Sequence, residues 1–274
     1  MRPRKLGILA GSGVLPRRLI AACRESAREV FVVGFAGTAA EEAFGEVPHA
    51  RVRLGEVGRT IDLLHRAGIE EVVLAGSVAR PTLKSLRPDG RALRMLAGLR
   101  FSALGDDALL SLIVAELERE GFRVVGIDSL LADLLAPAGP IGSLGPDDAA
   151  HRDIAAGMRA ARALGAADKG QAVVVRRGGI VAVEEPDGTD ALLCRCIGAS
   201  SSAGGVLVKL VKPGQERRAD LPTIGPRTVT GAEAAGLRGI AVEAGGTLII
   251  DRARVAAAAD AAGLFVVGVV PGET

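Results

Sequence analysis

The sequence predicts a two-domain α/β protein, and three observations support this prediction. The chain has 274 residues, which is long for one compact domain. Strand-like and helix-like segments alternate through the first half, a pattern typical of a parallel sheet with helices on both faces. The stretch LLAPAGPIGSLGPDD (134–148) is dense in proline and glycine, and a less regular second half follows it. We therefore expect one domain at 1–138 and another at 139–274.

In the first half, short apolar runs predict strands and runs with helical periodicity predict helices. Pro16 is suited to open the first helix, and Gly68 and Gly121 are suited to end later ones. The predicted order is strand 5–10, helix 16 to about 28, strand 30–35, helix 55–68, strand 70–76, a basic helical segment within 80–100, helix 105–121 and strand 122–126. This order is typical of a Rossmann-like nucleotide-binding domain.

The second half predicts a mixed α/β domain. A helix is expected from Asp147 to about Leu164. The apolar runs QAVVV, GGIVAVEE and VLVKLVK follow, interrupted by GTDALLCRCIG and a Ser/Gly loop. The last stretch, 238–270, has the pattern strand, strand, helix, strand.

Composition excludes several classes of function. Trp and Tyr are absent and Phe occurs six times, so the chain has few aromatic side chains that could stack on nucleic-acid bases. The net charge of +2 does not indicate a polyanionic partner. The three cysteines are too few for a disulfide framework. Neither a signal peptide nor an uninterrupted apolar span is present, so we expect a soluble, cytoplasmic protein without a nucleic-acid partner.

Two glycine-containing loops follow predicted strands. AGSGVLP (10–16) and AGSVARP (75–81) both leave a strand at its carboxyl end, where ligands bind in open parallel sheets. The NAD fingerprint fails, because Pro16 replaces its third glycine and the second strand ends without an acid. A nucleotide site and a tight turn that needs small residues both remain open. The candidate substrate-binding residues here are Gly11, Ser12, Gly13, Gly76, Ser77 and Arg80.

The stretch KPGQERRADLPTIG (212–225) concentrates charge on a rigid backbone. Lys212 and the arginines are suited to hold phosphate oxygens, and Asp220 to bind a metal or orient a water. Pro222 fixes the backbone beyond the acid. The alternative is a charged loop whose ions pair with one another.

Other polar clusters are more ambiguous. Thr189 and Asp190 follow Gly188 at a helix start, where acids are stabilised by the helix dipole without any further role. The basic segment 80–100 fits either an anionic partner or a solvated helix face. Cys194 and Cys196 lack the second pair of ligands that a zinc site needs, and no catalytic triad is recognisable.

These motifs resemble one family. LGILAGSGVLP, LAGSVARP, GDDALL, GQAVVV, GTDALL, KPGQERRADLPTIG and LFVVGV occur in the same order as in the non-calcineurin type of UDP-2,3-diacylglucosamine pyrophosphatase, an enzyme of lipid A biosynthesis. The resemblance covers nearly the whole chain, and the KPGQERRADLPTIG stretch is its most specific part.

The resemblance implies a reaction. Family members hydrolyse the pyrophosphate of UDP-2,3-diacylglucosamine to UMP and 2,3-diacylglucosamine 1-phosphate, with Mg²⁺ or Mn²⁺, and enclose the substrate between their two domains. Asp220 matches the family's essential aspartate and is the implied metal ligand. Lys212, Gln215 and Arg218 are the implied catalytic partners, and Thr189, Asp190 and Thr223 are implied helpers in binding.

Further partners and two alternative functions complete the set of hypotheses. The inner membrane surface and a second copy of the chain are further partners to test. A non-catalytic nucleotide- or lipid-binding regulator is the alternative function, and an NAD-linked oxidoreductase is disfavoured by the missing fingerprint.

Overall fold

A computed structural model describes residues 3–37, 44–78, 86–97 and 106–272. The chain divides into two compact units. Unit 1 comprises 1–132 together with Glu216–Asp220, and unit 2 comprises 133–215 and 221–274. Within the described ranges, no helix combines the length and apolar character that crossing a membrane requires.

Unit 1 is built on a five-stranded sheet in which all strands are parallel. Its strands are β1 (Leu6–Ala10), β2 (Val30–Phe35), β3 (His49–Val52), β4 (Glu71–Ala75) and β5 (Arg123–Val124). Its helices are α1 (Leu15–Glu25), α2 (Val57–Arg66), α3 (Gly90–Leu96), α4 (Asp106–Arg119) and α5 (Ile127–Leu130). The strand order is β3-β2-β1-β4-β5, so the chain reverses its direction of travel across the sheet between β1 and β4.

The predicted elements of unit 1 are confirmed, with small differences at their ends. The first helix ends at Glu25, before the predicted Arg28, because Ala27 takes a left-handed conformation with φ 50°. The short strand β3 was not predicted, since only its last residue, Val52, is buried. Within the basic segment 80–100, a helix covers Gly90–Leu96, and residues 80–85 and 98–100 lie outside the described part.

The core of unit 1 lies between its sheet and two of its helices. Leu9 and Val33 of the sheet share a buried cluster with Ile61 and Leu64 of α2 and with residues of α4. Every residue of β1 is buried, so the central strand is covered on both faces.

Unit 2 contains a six-stranded mixed sheet and a separate two-stranded one. The strands are β6 (Gly139–Pro140), β7 (Ala172–Arg176), β8 (Gly179–Val183), β9 (Val206–Lys209), β10 (Thr223–Ile224), β11 (Gly239–Glu243), β12 (Leu248–Ile249) and β13 (Phe265–Val269). The helices are α6 (Asp148–Ala166), α7 (Gly188–Cys196), α8 (Pro226–Ala234) and α9 (Arg252–Ala261). The larger sheet has the order β6-β13-β11-β9-β7-β8, in which β13, β11 and β9 are parallel and the others antiparallel. The mixed α/β prediction is confirmed.

Helices cover both faces of this sheet. Ile154 and Met158 of α6 pack on one face with Val208 of β9. Residues of α7, α8 and α9 pack on the other face with Leu207. Because a Cβ at Gly157 would overlap the Val208 side chain, α6 lies directly against the sheet.

The proline- and glycine-rich stretch is largely ordered against unit 2. Leu135 forms a β-bridge with Leu248, and the Ala136 N–H donates to the Thr247 carbonyl at 2.8 Å. Gly139 and Pro140 pair with β13 as an edge strand. These backbone hydrogen bonds fix its conformation from Leu135 onward.

Candidate active site

The charged segment 211–225 leaves the sheet of unit 2 after β9. The Leu210 N–H donates to the Gln171 carbonyl at 3.0 Å, and the Val211 N–H donates to Glu243 Oε2 at 3.2 Å. The segment then contributes Glu216–Asp220 to unit 1 and returns to unit 2 at Leu221. Both ends of the stretch therefore belong to unit 2, and its acid-bearing middle belongs to unit 1.

Lys212 and Gln215 close the first turn of this segment. Lys212 Nζ donates to Asp168 Oδ1 at 2.8 Å. The Gln215 side chain is buried, and its Oε1 accepts from the Lys212 N–H at 3.1 Å, while the Gln215 N–H donates to the Lys212 carbonyl at the same distance. Gln215 thus shapes the turn that presents the Lys212 ammonium.

Arg218 lies between two carboxylates within unit 1. Its Nε and Nη2 donate to the two oxygens of Glu216 at 2.8 and 2.7 Å, and its Nη1 donates to Glu118 Oε1 at 2.5 Å. These hydrogen bonds raise the pKa of Arg218, and those it donates to Glu216 hold the pKa of that carboxyl below its usual range. The guanidinium group of Arg218 is therefore bound by two carboxylates, and these bonds fix the turn that precedes Asp220.

Asp220 is half-buried and its backbone is held on both sides. The Asp220 N–H donates to the Glu216 carbonyl at 3.0 Å, and Ala219 packs against the core cluster of unit 1. On the other side, the buried Pro222 accepts from the Leu248 N–H at 2.8 Å. The backbone that carries this carboxylate is therefore ordered in advance of any ligand.

Thr223 begins β10, which pairs in parallel with β12. Its hydroxyl donates to the Leu221 carbonyl at 3.1 Å. That hydrogen bond stiffens the three residues that follow Asp220.

A buried polar chain links Thr189 to two residues that sequence reasoning missed. Lys209 Nζ donates to Thr189 Oγ1 at 2.7 Å, and the Thr189 hydroxyl donates to Glu184. Glu184 and Lys209 are 5% and 6% exposed, and the Gln171 N–H donates to the second Glu184 oxygen at 2.8 Å. A lysine inside the apolar run VLVKLVK is the sequence signal that marks such a buried cation.

Asp190, the neighbour of Thr189, is in a different environment. Its Oδ2 accepts from Arg227 Nη2 at 2.9 Å, and both side chains are exposed. This pair lies on the surface at the start of α7 and is expected to be weak.

The two glycine loops of unit 1 meet at the point where ligands bind in sheets of this strand order. Ser12 and Ser77 exchange backbone hydrogen bonds of 2.8 and 3.0 Å, and the Ser12 hydroxyl lies 2.9 Å from the Ser77 hydroxyl. A Cβ on Gly11 would lie 2.6 Å from the Ser77 carbonyl oxygen, and Gly76 is as tightly packed against Ser12. Both glycines therefore have a packing role of their own.

The remaining residues of these loops are less constrained. Gly13 has φ 99°, and a Cβ there would meet no atom of the described residues within 4 Å. This leaves open space beside the N-terminus of α1. Arg80 lies outside the described residues.

The donor set for a metal is sparse. The described residues contain no group of three or more His, Cys, Asp or Glu side chains suited to hold an ion. Mg²⁺ is commonly held by one or two carboxylates together with substrate phosphates. A single carboxylate such as Asp220 fits an ion that binds together with a phosphorylated substrate.

Fold and site together define a two-domain α/β protein with a charged loop, residues 211–225, in which backbone hydrogen bonds hold Asp220 in place. We call this segment the acid loop. Residues 5–134 match the model of the LpxI N-terminal domain, and residues 137–267 match that of the LpxI C-terminal domain. The chain belongs to the LpxI family, which confirms the predicted resemblance.

Individual proteins agree with this assignment. The chain is 42% identical over 278 residues to the "UDP-2,3-diacylglucosamine pyrophosphatase LpxI" of Caulobacter vibrioides, and the match covers 98% of this chain and 99% of that protein. Among solved structures, the biotin carboxylase subunit of pyruvate carboxylase aligns with 73% of this chain and 41% of its own, at 14% identity and a TM-score of 0.26. So weak a structural likeness carries no argument.

Proposed function

We propose that this protein hydrolyses the pyrophosphate bond of UDP-2,3-diacylglucosamine, releasing UMP and 2,3-diacylglucosamine 1-phosphate in lipid A biosynthesis. The observation that carries the proposal is the near full-length match to a relative named for this pyrophosphatase activity. The acid loop adds a physical reason, since it carries Asp220 on a backbone that hydrogen bonds hold on both sides.

Asp220 is the residue to which we assign activation of the attacking water. Water adds to one phosphorus, the bridging oxygen leaves with the bonding electrons, and the carboxylate accepts the proton that the water loses. Attack at either phosphorus gives the same two products. The hydrogen bonds on both sides of Asp220 reduce the ordering that the reaction demands.

The neighbouring residues take two kinds of role in this proposal. Lys212 releases the Asp168 carboxylate and binds phosphate oxygens of the substrate instead. It can do so because its ammonium is a point charge on a flexible side chain. Gln215 and Arg218 are positioning residues, because Gln215 bonds the Lys212 backbone and Arg218 is engaged by two carboxylates. The loops at Ser12 and Ser77 contribute to the nucleotide site.

We propose Mg²⁺, or Mn²⁺, as the cofactor, held by Asp220 and by the phosphates of the substrate. When bound, such an ion neutralises charge that develops on the diphosphate. The binding of Mg²⁺ should therefore be tight only when the diphosphate is present.

Turnover of the purified protein tests the proposal. UMP release from UDP-2,3-diacylglucosamine is measured by chromatography, with Mg²⁺ and with a chelator. Asp220→Ala should reduce the rate at least about 10³-fold while substrate binding persists. Asp62→Ala, which removes an exposed aspartate of α2, serves as the matched control and should leave the rate unchanged.

Two outcomes would overturn the assignment. Near-normal turnover by Asp220→Ala would remove this residue from the mechanism. Binding of the substrate without any metal-dependent turnover by the parent protein would instead identify a non-catalytic regulator.

We further propose that the protein works in the cytoplasm and contacts the inner membrane surface transiently, because its substrate carries two acyl chains. Cell fractionation tests the location. Sedimentation with vesicles, with and without substrate, tests the contact.

A further inference from the structure

Unit 2 contains a cavity of about 540 Å³ at the end of its larger sheet where β7 finishes and β9 begins. Strand β9 begins at Val206, beside this cavity, and ends at Lys209, where the chain continues to the acid loop. The walls are the first two turns of α6, the β7–β8 turn, the loop before β9 and Arg238. The cavity is therefore separate from the site described above.

Arginine dominates the lining of this cavity. Its lining residues include four arginines and one carboxylate. They are Arg152, Arg176, Arg177, Arg238 and Asp153.

Most of this positive charge is uncompensated. In the described ranges, Arg152 and Arg177 are exposed, and their side chains have neither a hydrogen bond nor an ion pair. Arg176 Nη1 donates to the Ser200 carbonyl at 2.6 Å, which satisfies a donor without neutralising the charge. Among the residues that the structure describes, Arg238 alone of the four has an ionic partner, the Asp147 carboxylate.

Asp153 holds the wall of the cavity in place. Its side chain is 4% exposed, and its Oδ1 accepts from the Gly178 N–H at 2.6 Å. None of the four arginines lies within ion-pair distance of it in the described structure. The carboxylate thus fixes the turn that presents Arg176 and Arg177.

The turn itself is costly to form. Arg177 has φ 51°, a left-handed conformation that residues other than glycine adopt at an energetic cost. The turn thus places a guanidinium where the backbone prefers glycine, among other guanidinium groups that repel it.

We propose that this cavity binds a small anion that carries a phosphate ester or diphosphate group. Guanidinium groups match phosphate oxygens in a bidentate manner. The volume of the cavity lies in the range of small-molecule sites. Four of its lining residues are small, which leaves room for a ligand: Ala149, Gly178, Ala203 and Gly204. The phosphate belongs either to a free metabolite or to the head group of an anionic lipid.

The test uses the full-length protein and two probes. Pyrophosphate is titrated by calorimetry at fixed ionic strength, and vesicles of phosphatidylglycerol in phosphatidylcholine are tested by sedimentation. The variant Arg152→Gln/Arg177→Gln is compared with Arg159→Gln/Arg162→Gln, which removes the same charge from exposed positions of α6 outside the cavity. Both pairs should melt at the temperature of the parent protein.

The cavity variant should bind one of the probes at least about tenfold more weakly than its matched control. Loss for pyrophosphate identifies a free metabolite as the source, and loss for the vesicles identifies a lipid head group. Pyrophosphate that binds at the acid loop is retained by both variants, so the comparison isolates the cavity. Equal binding by the two variants, or no binding of either probe by the parent protein, would overturn the proposal.

This proposal is independent of the pyrophosphatase activity. UMP release without added phosphate should be the same in the cavity variant and its control. Arg152→Gln alone, on the exposed surface of α6, provides a second variant with a smaller loss in the same direction.

Discussion

Lys209 Nζ donates a 2.7 Å hydrogen bond to Thr189 Oγ1, and this bond joins β9 to the first turn of α7. The Thr189 hydroxyl in turn donates a hydrogen bond to Glu184, so a buried cation and a buried anion are linked through one oxygen. Because Lys209 lies three residues before Lys212, the chain is fixed as it enters the acid loop.

Replacing Lys209 should therefore destabilise unit 2. Lys209→Met leaves Glu184 buried without its cation and should lower the free energy of unfolding by about 3 kcal/mol. Urea denaturation measures the loss. Lys169→Met, at an exposed lysine of the same unit, is the control, and equal stabilities would show that the buried chain contributes nothing.

Replacing Glu71 should have a comparable effect in unit 1. This carboxylate is 7% exposed and pairs with Arg28, with Arg123 at 2.8 Å and with Arg4 at 3.6 Å. Glu71→Gln leaves three guanidinium groups without their anion and should cost about 2–4 kcal/mol by urea denaturation. The exposed neighbour Glu70→Gln should cost less than about 0.5 kcal/mol. A similar cost for both would contradict the argument.

Gly76→Ala should disrupt the contact between the two glycine loops. Gly76 has φ 89°, and a Cβ there would overlap the Ser12 carbonyl oxygen. The combined backbone and steric cost is about 2–4 kcal/mol, measurable as a lower melting temperature. Gly90→Ala, where a Cβ meets no described atom within 4 Å, should leave the melting temperature unchanged or slightly higher. An unchanged Gly76→Ala protein would show that the loops can separate without cost.

The Glu216–Arg218 pair should make the acid loop sensitive to low pH. The hydrogen bonds from Arg218 lower the pKa of Glu216 in the folded state below its unfolded value of 4.5. Its contribution to stability is therefore complete above about pH 4.5 and is lost as the pH falls through the lowered folded pKa.

Glu216→Gln removes this titration. Its free energy of unfolding should fall less steeply than that of the parent protein below pH 4.5, as measured by urea denaturation at successive pH values. Glu46→Gln, at an exposed glutamate of unit 1, should follow the parent curve. Superimposable curves for all three proteins would remove the pair from the acid response.

Much of the local structure is predictable because its causes are local. Asp147 caps α6 by accepting from the Ala150 N–H at 2.8 Å, and β2 covers the predicted residues 30–35. The elements that sequence reasoning missed are short or held from outside. Strand β10 contains two residues, and it forms because the carbonyls of Pro222 and Ile224 accept hydrogen bonds from Leu248 and Ile250, far along the chain.

The candidate site also has parts that the sequence reveals and parts that only the structure reveals. The acid loop is identifiable from its own residues, since charge and proline are concentrated in one continuous stretch. Glu184 and Lys209 are not, because nothing in either local stretch shows that Thr189 joins them. Gly11 and Gly76 likewise suggest a ligand loop by sequence, whereas the structure adds a packing role between positions that are 65 residues apart in the chain.

The sequence by itself determined the alternation of strands and helices, the two-domain α/β class, the family and the residue Asp220 as the acid to test. These follow from periodicity, turn residues and continuous motifs, all of which act over short distances along the chain. Only the tertiary structure decided which charges are paired. It set Arg218 between Glu216 and Glu118, Lys212 on Asp168, and a group of arginines around a cavity remote from the acid loop in unit 2. Apart from Glu216, which lies two residues before Arg218, the partners in these pairs are distant in sequence, and the packing of strands and helices fixes the distances between their side chains.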